Sequence, residues 1–177
     1  GLLGWEADDA RIPESGAALK QAGVDLEIRY VDLHDPHPNT YRLTITRDGV
    51  TQRLVAVSTG GGMIEVIAID GYAVSLFGDY DVTLLEVDGA AAAAATLSDA
   101  CDDVQVVDGE PALVVASGQA FVDDATLESV QGLRRTRRFG AVLPVRSRAG
   151  LTVPFLHASE MLEGRDPKAS PLSDFAL

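Results

Sequence analysis

A single cysteine, Cys101, stands in a chain of 177 residues. That excludes an internal disulfide framework and any metal centre built from several thiolates of this chain. It suits a reducing compartment, and a cytoplasmic location is the expectation. Cations are also scarce: 14 Lys and Arg stand against 27 Asp and Glu, for a net charge of −13. Such a chain repels phosphate backbones, so no nucleic-acid partner is expected. No apolar run approaches the ~20 residues that a membrane-spanning helix needs, so no membrane partner is expected either. Histidine is limited to His34, His37 and His157. The start, Gly1-Leu2-Leu3-Gly4-Trp5-Glu6, carries neither an initiator Met nor a signal-peptide pattern, and it reads as part of something longer.

What is present is apolar residue in quantity, 46% of the chain, enough for one sizeable core or two small ones. Residues 8–23 predict a short helix, with Asp8 and Asp9 at its acidic start, Pro13 in its first turn and Gly23 as its stop. Val24 to Leu33 alternates, with Val24, Leu26, Ile28 and Tyr30 on one face, and predicts a strand. His34-Asp35-Pro36-His37-Pro38-Asn39-Thr40 is a proline-stiffened loop. Strands are then predicted over Tyr41–Thr46, Val50–Val57, Met63–Ile69 and Tyr72–Leu76. Asp48-Gly49 and Asp70-Gly71 are hairpin turns between them, and the first helix is available to cover one face of the meander.

A boundary is placed near residues 77–81. Beyond it the order is strand (Val82–Val87), alanine-rich helix (Ala90–Cys101), strand (Val104–Val107), strand (Ala112–Ala116), helix (Asp123–Val130) and strand (Arg137–Val145). This βαββαβ order is the ferredoxin-like plan, shared by ACT-type ligand-sensing modules and by many unrelated domains. The fold class is therefore α+β. In the tail, Phe155 to Glu163 suggests a short helix, and Ser173-Asp174-Phe175-Ala176-Leu177 reads as a helix start.

Chemistry-bearing groups are few. His34, Asp35 and His37 offer donors from which a metal site is conceivable, whereas a dedicated site wants three or four that converge. Two other readings stay open for that loop: a rigid turn, or a source of polar groups for a ligand. Three consecutive glycines, Gly60, Gly61 and Gly62, follow Ser58-Thr59 between two strands. They serve either a turn or bulge, or the close approach of backbone to a ligand or partner. No Lys-Ser/Thr follows them, so they are not a phosphate loop. No serine sits in a nucleophile elbow. Arg134, Arg135, Arg137 and Arg138 form the one basic cluster, read as a solvated strand edge or as a dock for an acidic neighbouring surface. Cys101 reads as a small core residue at the end of the alanine helix.

The ordered set His37-Pro38-Asn39-Thr40-Tyr41-Arg42, Ser58-Thr59-Gly60-Gly61-Gly62-Met63-Ile64, Asp70-Gly71-Tyr72 and Gly78-Asp79-Tyr80 resembles the β region of iron–sulfur-dependent L-serine dehydratase. Gly1-Leu2-Leu3-Gly4 and the tail from Phe155 resemble that family's joins to neighbouring segments. The resemblance implies residues 1–78 as an allosteric-substrate-binding-like region, 79–148 as an ACT-like domain, and 149–177 as a linker into a catalytic α region. It implies dehydration of L-serine to pyruvate and ammonia by the complete enzyme, with a [4Fe–4S] cluster as Lewis acid. The cluster's ligands lie outside this chain, since Cys101 matches none of them, and this chain alone is expected to be inactive. His37, Asn39, Thr40, Ser58, Gly60, Gly61 and Gly62 become candidates for docking the catalytic region or for holding L-serine or a serine-like effector. The ACT loop maps to Asp88 and Gly89, where the family's Asp-Arg-Pro-Gly-like run reads Val87-Asp88-Gly89-Ala90. A homodimer is expected. The rival readings are an amino-acid sensor attached to another enzyme, such as a phosphoglycerate dehydrogenase, and an ACT-like dimerisation domain carrying a β-meander.

Overall fold

The structure, a computed structural model, describes residues 2–5, 8–143, 146, 147 and 149. It forms two compact units, Gly1–Pro38 and Asn39–Leu177.

In the first unit the helical segment is shorter than predicted. A 3₁₀ turn, Ile12–Glu14, carries Pro13 and leads into α1, Ser15–Gln21. Asp9 does not cap the helix. Its carboxylate accepts hydrogen bonds from the backbone N (2.9 Å), Nε (2.9 Å) and Nη2 (2.6 Å) of Arg11, and the Arg11 guanidinium lies 4.5 Å from the centre of the Trp5 ring. Gly23 ends α1 as predicted, at φ +74°. Gly23 N donates to Lys20 O (3.1 Å) and Val24 N to Leu19 O (2.9 Å), the paired bonds of a Schellman cap. The strand predicted over Val24–Leu33 is not formed: residues 24–35 have neither helix nor strand. Alternation specifies the shape of a strand, but a strand is completed only by hydrogen bonds from a neighbour.

The second unit contains two antiparallel sheets. The first is a meander of β1 (Thr40–Arg47), β2 (Val50–Gly60), β3 (Met63–Ile69) and β4 (Tyr72–Leu76), in that spatial order. Asp48-Gly49 and Asp70-Gly71 turn its outer hairpins with positive φ at both positions (51° and 77°; 50° and 94°), the backbone of primed turns. The second sheet has the order β6-β7-β5-β8, from β5 (Asp81–Val87), β6 (Asp103–Val107), β7 (Ala112–Gly118) and β8 (Leu133–Phe139). Two helices interleave with these strands, α2 (Ala90–Leu97) and α3 (Asp124–Ser129). Asp123 caps α3, its carboxylate accepting from Thr126 N at 2.8 Å. The helix α2 stops at Leu97, short of the predicted Cys101, and Asp102 N bonds to Ser117 O (2.9 Å) near the end of β7. Cys101 accordingly lies beyond the helix, half-buried against the core. The last strand is shifted from the expected Arg137–Val145 to Leu133–Phe139, because Leu133 pairs with Val87 and Phe139 with Val82. Val145, His157 and the tail helices predicted from Phe155 onward lie outside the described residues.

Both faces of the second sheet are buried, and strand alternation divides them. Leu85, Val87, Val114 and Ala116 meet Ala93 and Leu97 of α2 and Leu127 of α3. Val82, Leu84, Leu113 and Val115 point the other way, onto Ile69, Leu54, Val66, Tyr72, Val74 and Leu76 of the meander. The layers are thus helices, sheet, meander. Fully burying a side chain such as Ile69 or Leu113, both 0% exposed, contributes about 1.5–3 kcal/mol.

Candidate functional site

The glycine stretch closes the β2–β3 hairpin. Gly60 pairs with Met63, leaving Gly61-Gly62 as a two-residue turn, and the register slips between Ser58 and Gly60. The φ angles of Gly60, Gly61 and Gly62 are 94°, 61° and 82°. Conformation is what selects glycine here, since a Cβ built at any of the three meets nothing of this chain within 4 Å. The turn and bulge readings therefore both hold, and the space around the turn is open.

β1 pairing brings part of the predicted site together. Ser58 N donates to Asn39 O at 3.0 Å, and Thr40 sits opposite Val57. Asn39, Thr40 and Ser58 thus share one end of the β1–β2 ladder, and the glycine turn continues β2 from that end. Asn39 is exposed, while Thr40 and Ser58 are half-buried. His37 is half-buried in the first compact unit.

Asp88 and Gly89 belong to a different place, the end of the second sheet. There Val87, Asp88, Gly109, Glu110, Pro111, Ala112 and Arg134 line an open cleft of about 420 Å³. Asp88 N donates to Gly132 O (3.0 Å), and the Asp88 carboxylate meets Arg134 Nη2 at 2.5 Å. Gly89 begins α2 through its carbonyl, which accepts from Ala93 N at 3.0 Å. The cleft's floor is tied to the meander by Tyr72, whose hydroxyl donates to Pro111 O at 2.7 Å.

The basic cluster lies on the edge strand β8, where Arg134, Arg135 and Arg138 reach solvent as expected and Arg137 does not. Arg137 is buried, its side chain only 6% exposed, and its guanidinium spans two carboxylates: Asp70 Oδ2 of the meander at 2.5 Å and Glu86 Oε1 of β5 at 3.0 Å. Asp70 Oδ1 also accepts from Arg53 N at 2.7 Å. Arg134 pairs with Asp88, Arg135 with Glu86 at 3.8 Å, and Arg138 with Asp124 at 2.8 Å. The acidic surface that Arg137 docks is thus on the first sheet of the same unit. Sequence reading missed this network. No local signal marked it, since Arg137 stands between Thr136 and Arg138 in a run of arginines.

Cofactor chemistry has little to work with. Among the described residues, no three His, Cys, Asp or Glu side chains gather where a metal ion could be held. Burial, and secondarily the Asp102 carboxylate, push the Cys101 thiol above its usual range, which favours the protonated form over the thiolate that ligates iron. The residues present do not fit a [4Fe–4S] cluster.

The fold and these sites define an α+β protein whose candidate surfaces are a glycine hairpin and a charged cleft. No family model matches the chain, and no solved structure matches it. Among characterised proteins it is similar to the probable L-serine dehydratase, beta chain, of Bacillus subtilis (strain 168), with 33% identity over 85 residues, covering 48% of this chain and 39% of that protein. It is likewise similar to the L-serine dehydratase, beta chain, of Peptoniphilus asaccharolyticus, with 35% identity over 88 residues, covering 49% of this chain and 40% of that protein. The resemblance read from the glycine and histidine motifs is to the same family as these relatives. The matches span about two fifths of the relatives' length. Among the described residues, no helix is long and apolar enough to cross a membrane.

Proposed function

We propose that this chain is a β, regulatory portion of an iron–sulfur L-serine dehydratase, a lyase that converts L-serine to pyruvate and ammonia. The observation that carries the reading is the similarity to two L-serine dehydratase β chains over about half of this chain. In this reading the [4Fe–4S] cluster, with its ligands, belongs to a catalytic α region or subunit in the cytoplasm. The meander is the remaining part of an allosteric-substrate-binding-like domain, and residues 79–148 are an ACT-type, ferredoxin-like domain. Asn39, Thr40, Ser58 and the Gly60–Gly62 turn form the surface offered to the α region. The open space beyond all three glycines supports that role, because a partner's backbone can approach where no side chain intervenes. The test is reconstitution: this chain, joined to or mixed with a cluster-loaded α region, should restore serine-dependent pyruvate formation. No pyruvate above the α region alone sinks the reading.

The cleft at Asp88 favours a second role, amino-acid sensing. Asp88, Glu110 and Arg134 offer both charge signs that a zwitterionic amino acid carries, although a ligand must displace the Asp88–Arg134 pair. Calorimetric titration of this chain with L-serine tests it. Saturable heat that disappears in Asp88→Ala supports a sensor, and no heat at millimolar serine leaves the cleft structural.

A further inference from the structure

The chain of residues 24–33 has the pattern of a strand, and among the described residues no strand pairs with it. Leu26, Ile28, Tyr30, Val31 and Leu33 are 51%, 67%, 97%, 65% and 56% exposed. Arg29 Nε meets Glu27 Oε1 at 2.7 Å, so side chains two apart share a face, as in an extended chain. One face then carries Val24, Leu26, Ile28 and Tyr30, and the other carries Asp25, Glu27, Arg29 and Val31. We propose that this segment pairs antiparallel with the same segment of a second copy of the chain, about a two-fold axis through Ile28.

Charge selects both the occupant and the register. With Ile28 opposite Ile28, each Glu27 faces the other copy's Arg29, twice by symmetry, and each Leu26 faces Tyr30. Moving the axis to Glu27 sets two glutamates opposite each other, and moving it to Arg29 sets two arginines opposite each other. An axis at Leu26 opposes Asp25 to Glu27. An axis at Tyr30 sets Glu27 opposite Leu33 and Arg29 opposite Val31, so both ion pairs are lost. Opposite charges directly across a ladder stabilise it and like charges destabilise it, so charge favours Ile28, the centre with two Glu27–Arg29 pairs and no like-charge pair; Asp32 then lies opposite Val24 at the ends of the ladder. Two strands alone make a marginal ribbon. Helix α1 precedes the strand directly, and Gly16, Leu19, Lys20, Val24 and Leu26 line a cavity of about 480 Å³ on its flank, which gives the apolar face a place to pack. The pairing is read without serine turnover, so its failure leaves the catalytic reading standing.

Cross-linking tests the register in the full chain with Cys101→Ala, so that an introduced thiol stands alone. Under copper–phenanthroline air oxidation, Ile28→Cys should form a disulfide dimer. Leu26→Cys or Tyr30→Cys alone should not, because each is displaced from its own symmetry mate by four residues, ~13 Å along the strand, well beyond disulfide reach. Mixing Leu26→Cys with Tyr30→Cys should give the mixed dimer. By sedimentation, Glu27→Lys should raise the dimer Kd roughly tenfold, as two attractive pairs become repulsive, and Glu27→Lys with Arg29→Glu should restore it. The proposal is overturned if Leu26→Cys or Tyr30→Cys alone cross-links as fast as Ile28→Cys. It is also overturned if the chain stays monomeric at about 100 μM, a concentration at which a micromolar dimer is fully formed.

Discussion

Arg137 is the residue whose removal tests most directly how the two sheets of the second unit are joined. Its guanidinium is one cation between two carboxylates from different sheets, Asp70 and Glu86, whose side chains are 22% and 18% exposed. Arg137→Met keeps the apolar stem and removes the charge. Breaking a buried pair by deleting one partner costs about 3–5 kcal/mol, because the other charge is left uncompensated. Here Asp70 retains Arg53 N and Glu86 retains Arg135, and both carboxylates touch water, so the lower end applies, about 3 kcal/mol. For a domain of ~100 residues that lowers Tm by roughly 12 °C or more. Asp70→Asn should cost less, about 1.5 kcal/mol, since its amide oxygen still accepts from Arg53 N. The double variant should fall short of the sum of the singles by at least about 1 kcal/mol, because the two side chains act on each other. Arg137→Lys should not rescue, as a single ammonium cannot span both carboxylates in the planar fork. Urea unfolding followed by far-UV circular dichroism reads all four variants, with an unchanged m-value showing that the unfolding reaction is the same. Additivity of the two single changes within about 0.3 kcal/mol would refute the claim that Arg137 and Asp70 clamp the sheets together.

Three other outcomes follow from the same geometry. At the glycine turn, Gly61→Asn should leave the melting temperature nearly unchanged, since Asn tolerates positive φ, whereas Gly61→Val is strained by about 1–2 kcal/mol; if the turn docks the catalytic region, both should impair the reconstituted enzyme, and normal activity in Gly61→Asn removes the docking role. Gly109→Ala should destabilise the chain by about 1–3 kcal/mol, because the new Cβ falls 2.5 Å from Tyr72 Cε1, and Tyr72→Phe should lose about 1 kcal/mol with the bond to Pro111 O; thermal melts check both. Asp81 is held below the usual carboxylate range by the hydrogen bond from Ala141 N and then by Arg146, so its contribution is present above the unfolded value near 4 and is lost as pH falls through the lower folded one; acid titration of stability should be shallower below about pH 4 in Asp81→Asn, and an identical acid limb would count against the contact.

Much of the second unit was legible from local chemistry. Asp48-Gly49 and Asp70-Gly71 announced their hairpins because few residues accept positive φ, and β3 and β4 have the predicted bounds. The alanine run began its helix at the expected residue, and Asp123 capped the next as one of the two expected candidates. The failures have physical causes. Val24–Leu33 has the alternation of a strand but no ladder, because pairing needs a second strand that local sequence does not name. The last strand was placed four residues late, since Arg134 and Arg135 look like loop residues until Glu86 and Asp88 are known to lie beside them. Of the candidate site, the neighbourhood of Asn39, Thr40 and Ser58 follows from hairpin register alone, whereas the cleft at Asp88 draws on Gly109–Ala112 and Arg134, which are distant in the chain.

By itself, then, the sequence determined the α+β class, the turns and the glycine hairpin, all of which depend on φ preferences and on period-two burial within a few residues. Tertiary structure alone decided that Arg137 is buried. A guanidinium enters a core only where carboxylates wait for it, and Asp70 arrives there from a turn in another sheet, 67 residues away in sequence.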